Sequence, residues 1–373
     1  MHQLLKIDFD NRIFGLDLLR FFAIFYVMNR HANDLILPFA NKQFLKVFEL
    51  DGVTLFFVLS GFLIGRILLK IYFAPNKLRW KDLKHFWMRR WLRTIPPYFL
   101  VLTLLVVVKL IQGNPFQTMY LQFYGFVQNL WYPHPPFFGE AYSISVEEWF
   151  YFIFPLLLFV MAIACRQRSK PVFLLLLFFF ITLSIACRSY ITFNAYQMDI
   201  PILSLYKHHI QKIVVTRFDS LMLGVLAAYL LRFYPKIWNR YKGISFFLGL
   251  MCLLAYKLFP WVQFPALKAI AGLILLSVGV VLLLPMLNAM HRVEGKLAKF
   301  VTVISVVSYA MYLINLTLRQ VLIDYLPSGT AIHAYFKYFL FWILSIIASI
   351  IFYRIIEWPV LKYRDQLFRK QEI

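Results

Sequence analysis

The sequence is poor in charged side chains, and especially in acidic ones. Charged residues make up 15% of its 373 residues and hydrophobic residues 61%, whereas soluble domains contain about 25% charged residues. A water-soluble globule of this length cannot bury so much apolar surface. This composition therefore excludes a soluble enzyme, a secreted disulfide scaffold and a disordered chain.

Cysteines are also few. Cys165, Cys187 and Cys252 lie in apolar stretches without a repeated spacing, so they define neither a disulfide framework nor a metal site, and we expect them to be small core residues. The opening MHQLLKIDFDNR lacks the regions of a cleaved signal peptide. We therefore expect the first apolar segment to remain in the mature protein.

Long apolar runs are what the sequence has in abundance. Runs of roughly 18 to 25 residues are long enough to cross a bilayer as helices. No internal repeat or low-complexity linker divides the chain, so we expect one all-α polytopic membrane domain over residues 1–373, with about ten transmembrane helices and no appended soluble domain. The ten runs lie at residues 13–31, 52–73, 95–112, 146–165, 171–191, 216–234, 242–260, 266–287, 301–325 and 333–356.

Basic residues predict the orientation of these spans. Lys and Arg number 39 against 17 Asp and Glu, for a net charge of +22. The loops on the side of the two termini carry 23 of the 39, and the opposite loops carry 9. By the positive-inside rule both termini face the cytoplasm, and the excess charge needs no nucleic-acid partner. The weakest point is segment 188–217, which carries four basic residues on the external side; a re-entrant piece there is the alternative.

Ionisable groups inside apolar spans are costly and ask for a reason. Asp17 and Arg20 are three residues apart in the first span, which suits an ion pair. Eleven helical steps bring His31 back to within roughly 20° of the face of Arg20, about 16 Å farther along the axis. The structural alternative is an ion pair for assembly and an interfacial histidine.

Two further groups of charges stand at predicted span ends. Arg90 and Arg93 open the third span and present two guanidinium forks on one helix face, a geometry suited to phosphate; positive-inside topology alone is the simpler explanation. Glu147 and Glu148 begin the fourth span at the predicted depth of His31, where a carboxylate and a histidine are the parts of a general base and its orienting group.

Other polar residues in the spans have simpler alternatives. Asp219 and Asn315 are expected in the outer half, and Arg66 and Glu357 toward the inner side, each either functional or a helix cap or buried polar contact. Tyr309 is a candidate for substrate binding or, together with Tyr312, for packing and the interface belt. A cationic inner mouth joined along one helix face to a histidine–carboxylate outer site fits a transporter or an enzyme that takes an anionic donor from the cytoplasm.

The motifs resemble those of acyltransferase family 3, integral membrane enzymes that O-acetylate or otherwise acylate surface carbohydrates. The resemblance runs from about residue 14 to 364. In chain order it is carried by GLDLLRFFAIFYVMNRH, with Arg20 and His31, by GVTLFFVLSGFLIGRIL, by Arg90 and Arg93 before TIPPYFL, by YSISVEEWFYFIFPLLL, with Glu147, and by RFDSLMLG, SYAMYLIN and IEWP.

The resemblance implies ten spans and an acyltransferase that moves an acyl group, expected to be acetyl, from cytoplasmic acyl-coenzyme A to a hydroxyl of a cell-surface or lipid-linked carbohydrate. It implies a bacterial inner (cytoplasmic) membrane location and no bound cofactor, with acyl-coenzyme A as co-substrate. Two positions depart from the pattern: SYAMYLIN usually ends in His where this chain has Asn315, and Thr54 stands where many relatives have an acid.

These residues together predict a mechanism. We expect coenzyme A phosphates to dock on Arg90 and Arg93 with Arg20, and His31 to act as base or as acyl relay while Glu147 fixes its tautomer. Glu148, Asp219, Tyr309 and Asn315 are expected to bind the acceptor. A transporter of small carboxylates or sugars and a non-catalytic scaffold of polysaccharide assembly are the alternatives, and the acceptor, the acyl chain and the oligomeric state are left open.

Overall fold

The computed structural model describes residues 12–75, 78–164, 168–291 and 293–369. The opening residues 1–11, Cys165 and the basic residues Lys77, Arg166, Arg292 and Lys370 of the topology count lie outside this part of the chain. The described residues are 80% helical and form no strand, which confirms the all-α fold class. Cys187 is buried and Cys252 is partly buried, and both are free thiols.

The helices follow the apolar runs closely. Each of the ten predicted spans is occupied by helix, and short helices fill several of the connections. The α-helices are α1 Phe14–Ile36, α2 Lys42–Val47, α3 Gly52–Tyr72, α4 Trp80–Ile111, α5 Met119–Tyr124, α6 Ala141–Ala164, α7 Lys170–Gln197, α8 Ile202–Leu205, α9 Phe218–Phe233, α10 Pro235–Arg240, α11 Lys242–Leu258, α12 Pro265–Leu267, α13 Leu273–Ala289, α14 Lys296–Tyr325, α15 Ala331–Phe352 and α16 Trp358–Arg369, with π-helical turns at Tyr206–Ile210, Lys268–Gly272 and Tyr353–Glu357.

Within the described residues, seven helices are long and apolar enough to cross a membrane: α3, α4, α6, α7, Pro265–Ala289, α14 and Ala331–Phe368. This makes the chain a multi-pass helical membrane protein. The other three predicted spans correspond to α1, α9 and α11. Helices α9 and α11 have only 16 and 17 residues, and α1 carries several charged residues, so the total of ten spans stays a prediction.

The chain divides into two compact units. Unit 1 comprises the described parts of residues 1–53, 91–108 and 288–373, and unit 2 those of residues 54–90 and 109–287. In unit 1, α1 packs against α14 and α15. Its apolar contact face includes Ala23, Ile24 and Met28, which are fully buried.

In unit 2, helices α3 and α9 cross at glycines. A Cβ atom on Gly61 would lie 1.9 Å from the carbonyl oxygen of Leu221, and one on Gly224 would lie 2.2 Å from that of Val58. Only residues without a side chain let two backbones approach this closely, as is common between membrane helices. Ser60, next to Gly61 on α3, is partly buried.

The sequence-based start of the third span was wrong. The loop expected over Lys77–Arg93 is helical from Trp80 onward, so α4 begins about fifteen residues before the predicted span. Leu83, Phe86 and Trp87 are buried on one side of this stretch, a helical spacing that hydropathy alone does not report because the charged residues between them lower the average. Arg90 and Arg93 consequently lie inside a helix.

The segment that was hardest to orient is also helical. Helix α7 continues to Gln197, and α8 with the following π-helical turn packs Ile202, Tyr206 and Ile210 into an apolar cluster with Ala269 and Leu273. Two of its four basic residues, Arg188 and Arg217, are fully buried. They are interior polar groups of unit 2 and not charges of an external loop.

Candidate functional site

Helix α1 presents Arg20 and His31 to the same neighbouring helix. The Arg20 guanidinium donates from Nη1 to Ser305 Oγ at 3.4 Å, and His31 hydrogen-bonds Asn315. Ser305 and Asn315 are both on α14. This confirms that the eleven-residue spacing places the two side chains on one face of α1.

The contacts of Asn315 fix the protonation of His31. Its amide nitrogen donates to the carbonyl oxygens of Met311 at 3.2 Å and Tyr312 at 2.6 Å, while its Oδ1 faces His31 Nδ1. An amide oxygen only accepts hydrogen bonds. The Nδ1 atom therefore carries a proton, and in the neutral form of this partly exposed side chain the lone pair is on Nε2.

The expected role of Glu147 in fixing the tautomer is therefore taken by a different residue. Asn315 is fully buried, and its amide oxygen faces Nδ1 of His31, the contact that sets the tautomer. Although an asparagine cannot act as a base, it orients a neutral imidazole as well as a backbone carbonyl would. This gives a physical role to the position at which the chain departs from the family pattern.

Asp17 is the centre of a small polar cluster at the other end of α1. Its carboxylate accepts two hydrogen bonds from Arg12, at 2.7 and 2.5 Å, and one from Ser305 Oγ at 2.8 Å. Arg20 Nη1 lies 3.7 Å from the same carboxylate. The predicted Asp17–Arg20 pair thus exists, but Arg12 is the closer partner of Asp17.

Arg90 and Arg93 have different neighbours. The guanidinium carbon of Arg90 lies 5.7 Å from the centre of the Tyr151 ring in unit 2. Arg93 is an exposed residue of unit 1, and its charge acts on the buried carboxyl group of Glu357. Arg90 therefore has an aromatic ring beside its guanidinium, whereas Arg93 is exposed, and the two remain three residues apart on one helix.

Glu147 and Glu148 lie in the second turn of α6. Glu147 is partly exposed, and its Oε2 accepts a hydrogen bond of 2.7 Å from the hydroxyl group of Tyr151. Glu148 is buried. Because Tyr151 also carries the guanidinium of Arg90 over its ring, the expected separation of Arg90 at the inner edge from Glu147 at the outer end is wrong within unit 2: one tyrosine contacts both.

Asp219, a predicted acceptor ligand, is held inside unit 2. Its Oδ2 accepts a hydrogen bond of 2.7 Å from Arg188 Nη2, and both side chains are completely buried. The neighbouring Arg217 donates to Thr54 Oγ1 at 2.7 Å. Thr54, the other departure from the family pattern, thus supplies a neutral oxygen to a buried guanidinium.

The remaining candidates have structural contacts. Tyr309 donates from its hydroxyl to the carbonyl oxygen of Thr94 at 2.7 Å, which ties α14 to α4 within unit 1. Tyr312 is buried. Arg66 lies with its guanidinium 5.8 Å from the centre of the Phe62 ring on its own helix.

Sequence reasoning missed three polar residues. Tyr151 follows Glu147 by four residues, a spacing that brings side chains together on a helix and that would have indicated the contact. Arg188 was counted among the basic residues of the external segment, although it lies on α7 with its side chain fully buried. Ser305 carries no signal in the sequence, because a serine in an apolar helix is common and its partners lie almost three hundred residues away.

The sequence matches the model of acyltransferase family 3, described as an acyltransferase domain, over residues 13–358. No solved structure matches it significantly. Two relatives have informative names. YrhL of Bacillus subtilis (strain 168), named as a peptidoglycan O-acetyltransferase, is 30% identical over 178 residues, which are 42% of this chain and 25% of the relative.

The second relative is the O-acetyltransferase OatA of Staphylococcus aureus (strain NCTC 8325 / PS 47), which is 32% identical over 173 residues, or 42% of this chain and 26% of OatA. The aligned part spans about a quarter of the length of either relative. The family match, by contrast, extends over nearly the whole chain. The protein therefore belongs to acyltransferase family 3.

Proposed function

We propose that this O-acetyltransferase-like membrane enzyme transfers an acyl group, acetyl in the first instance, from cytoplasmic acyl-coenzyme A to a hydroxyl group of a cell-surface or lipid-linked carbohydrate. The observation that carries the proposal is the oriented, partly exposed imidazole of His31. The names of the two relatives support O-acetylation of a polysaccharide, and the positive-inside charge pattern supports insertion in the cytoplasmic membrane.

His31 is the proposed general base. Its Nε2 takes the proton of the acceptor hydroxyl while the hydroxyl oxygen attacks the thioester carbonyl, and the carbon–sulfur bond then breaks to release coenzyme A thiolate. Proton transfer of this kind contributes typically 10²–10⁴-fold to a rate. A relay in which Nε2 first accepts the acyl group and then passes it to the acceptor uses the same lone pair and is the alternative.

Asn315 holds the imidazole in the protonation state that this step needs. With Nδ1–H donated to the amide oxygen, the imidazolium formed on proton transfer keeps its hydrogen bond, and the ring does not have to rotate during the reaction. This is the orienting role that a carboxylate has in the serine-protease triad. Glu147 remains a predicted catalytic residue, whose carboxylate is expected to stabilise the imidazolium that forms on His31.

The donor is proposed to dock through its phosphates on Arg90 and Arg93, with Arg20 as a further cation. Guanidinium groups three residues apart share one helix face and can both reach phosphate groups, and hydrogen bonds between charged partners are about twice as strong as neutral ones. Glu148, Asp219, Tyr309 and Asn315 remain the proposed acceptor ligands; Glu148 is buried on α6, and Asp219, Tyr309 and Asn315 each also hold a structural partner.

Replacement of His31 tests the chemical step. We expect His31→Ala to abolish acylation of surface carbohydrate while the protein inserts at the normal level, measured by mass spectrometry of glycans from cells expressing each variant and by immunoblot of membranes. His333→Ala, in the same unit, is the matched histidine control. Normal glycan acylation by His31→Ala would refute the proposed base.

Replacement of the arginines tests the donor site. Arg90→Gln and Arg93→Gln should each raise the apparent KM for acetyl-coenzyme A by about 10- to 100-fold, the equivalent of one charge-assisted contact, with a smaller change in kcat. Arg89→Gln removes an exposed charge from another face of the same helix and is the matched control. Equal effects of all three substitutions would show that only overall charge matters, and would contradict specific docking.

A further inference from the structure

Tyr151 lies where several polar contacts of unit 2 converge. It is buried on α6, one turn after Glu147. Its hydroxyl group, its ring and its main-chain carbonyl each have a separate polar partner from another part of the unit. Its hydroxyl group contacts Glu147 and its ring contacts Arg90, the two groups proposed above for catalysis and for donor binding.

Pro155 leaves the main-chain carbonyl of Tyr151 without its usual partner in the helix. In an α-helix the carbonyl of Tyr151 would accept from the N–H four residues later, and proline has no N–H. The indole Nε1 of Trp87 donates to this carbonyl at 2.9 Å instead. Because buried backbone carbonyls are almost always hydrogen-bonded, this contact locks α6 to the first part of α4.

The hydroxyl of Tyr151 is fixed by a directional chain. It donates to Glu147 Oε2 at 2.7 Å, and lies 2.6 Å from Ser60 Oγ. A carboxylate only accepts, so the phenolic proton points to Glu147 and the serine hydroxyl donates to the phenolic oxygen. Two aligned hydrogen bonds in a buried site polarise one another and hold the Glu147 carboxylate in one orientation.

The ring of Tyr151 is fixed by a cation. Arg90 lies three residues after Trp87, so both project from one face of α4 toward Tyr151. The guanidinium carbon is 5.7 Å from the ring centre, within the range of a cation–π interaction. The face of the Tyr151 ring thus orients Arg90, which is proposed to bind the donor. The hydroxyl group of the same side chain orients the carboxylate of Glu147.

We propose that Tyr151 is a positioning residue for acyl transfer, which holds Glu147 through its hydroxyl group and Arg90 through its ring. The inference rests on the proposed function, because it gives Glu147 and Arg90 the roles stated there. It predicts that removing the hydroxyl group and removing the ring change different kinetic parameters. The hydroxyl group serves kcat, and the ring serves the affinity for the coenzyme A donor.

Two substitutions separate these halves. Tyr151→Phe keeps the ring and removes only the hydroxyl, so we expect kcat to fall by about 10- to 100-fold, as for loss of a hydrogen bond to a charged group, with an unchanged KM for acetyl-coenzyme A. Tyr151→Leu also removes the ring, so we expect that KM to rise by about 3- to 30-fold in addition. Tyr229→Phe, which deletes another buried tyrosine hydroxyl of unit 2, is the control.

Equal changes of kcat and KM in Tyr151→Phe and Tyr151→Leu, or a similar fall in Tyr229→Phe, would overturn the proposal, because a merely structural tyrosine would behave in that way. Thermal unfolding in detergent confirms that the Phe variants retain the fold. A variant that unfolds is replaced by Ser60→Ala, which removes the other hydrogen bond to the hydroxyl and is expected to lower kcat by a few-fold with unchanged donor KM.

A double-mutant cycle distinguishes failure of this inference from failure of the proposed function. Residues that act as a unit are non-additive, so Tyr151→Phe should lower kcat much less in a Glu147→Gln background than in the wild type; Glu147→Asp takes its place if the Gln variant has no measurable rate. Wild-type kcat in both Glu147 variants would refute the role of Glu147 itself. If kcat is lowered in the Glu147 variant, and Tyr151→Phe lowers it further by the same factor as in the wild type, only the role of Tyr151 is refuted.

Discussion

Asn315→Leu removes the group that orients His31 while keeping the number and branching of the side-chain heavy atoms. The wild-type amide oxygen accepts from His31 Nδ1, and the amide nitrogen is held by two carbonyls of its own helix. In the variant the Nδ1–H group faces a methyl group. The imidazole then has no reason to keep Nε2 unprotonated and pointed toward the acceptor.

The expected size of the effect follows from this lost contact. A buried donor left without a partner costs about 1–3 kcal/mol, and each 1.4 kcal/mol corresponds to a factor of ten. If the orienting contact is realised fully in the transition state, kcat should fall by roughly 5- to 150-fold. The KM for acetyl-coenzyme A should stay near its wild-type value, because the contact does not involve the donor.

The assay is release of coenzyme A thiol by membrane vesicles supplied with acetyl-coenzyme A, together with the acetyl content of surface glycan by mass spectrometry. Asn315→Asp is the informative companion, because it keeps an accepting oxygen toward His31 but turns a second oxygen toward the carbonyls of Met311 and Tyr312. It should lose thermal stability and retain most of its kcat. Wild-type kcat in a correctly folded Asn315→Leu variant would refute the orienting role.

Three other predictions concern the packing of unit 2. Trp87→Phe should lower the free energy of unfolding by about 1–3 kcal/mol and much less in a Pro155→Ala background, where the new N–H satisfies the freed carbonyl; equal losses in thermal unfolding would contradict this. Asp219→Ala leaves the buried Arg188 without its carboxylate partner, so the free energy of unfolding should fall by about 3–5 kcal/mol. Adding Arg188→Met should restore much of this stability in the same measurement. Burial lowers the pKa of His134, in the connection before α6, to about 3 from its ordinary value near 6.5, so the unfolded chain binds the proton first and stability is lost as pH falls from about 6.5 toward 3. Between pH 7 and pH 5 the loss should be about 2 kcal/mol and absent in His134→Phe, as detergent melts at the two pH values would show.

The local pattern of the sequence was enough to find the site helices. Hydropathy placed helix at every predicted span, and the spacing of Arg20 and His31 predicted their shared face on α1. The ordered motifs indicated the family that the match over residues 13–358 confirms. These are properties of one helix at a time, and helical geometry relates residues within a helix by fixed angles and distances.

The tertiary structure decided which polar groups meet. Asn315, rather than a carboxylate, binds His31 Nδ1, and Arg188 is the partner of Asp219. Such pairs join residues on different helices, and no periodicity along the chain encodes which helices become neighbours. In an apolar environment a buried polar group must nevertheless find a partner. The sequence therefore indicated that Asp219 and His31 each need a polar partner, and the packing of the helices determined which residue that partner is.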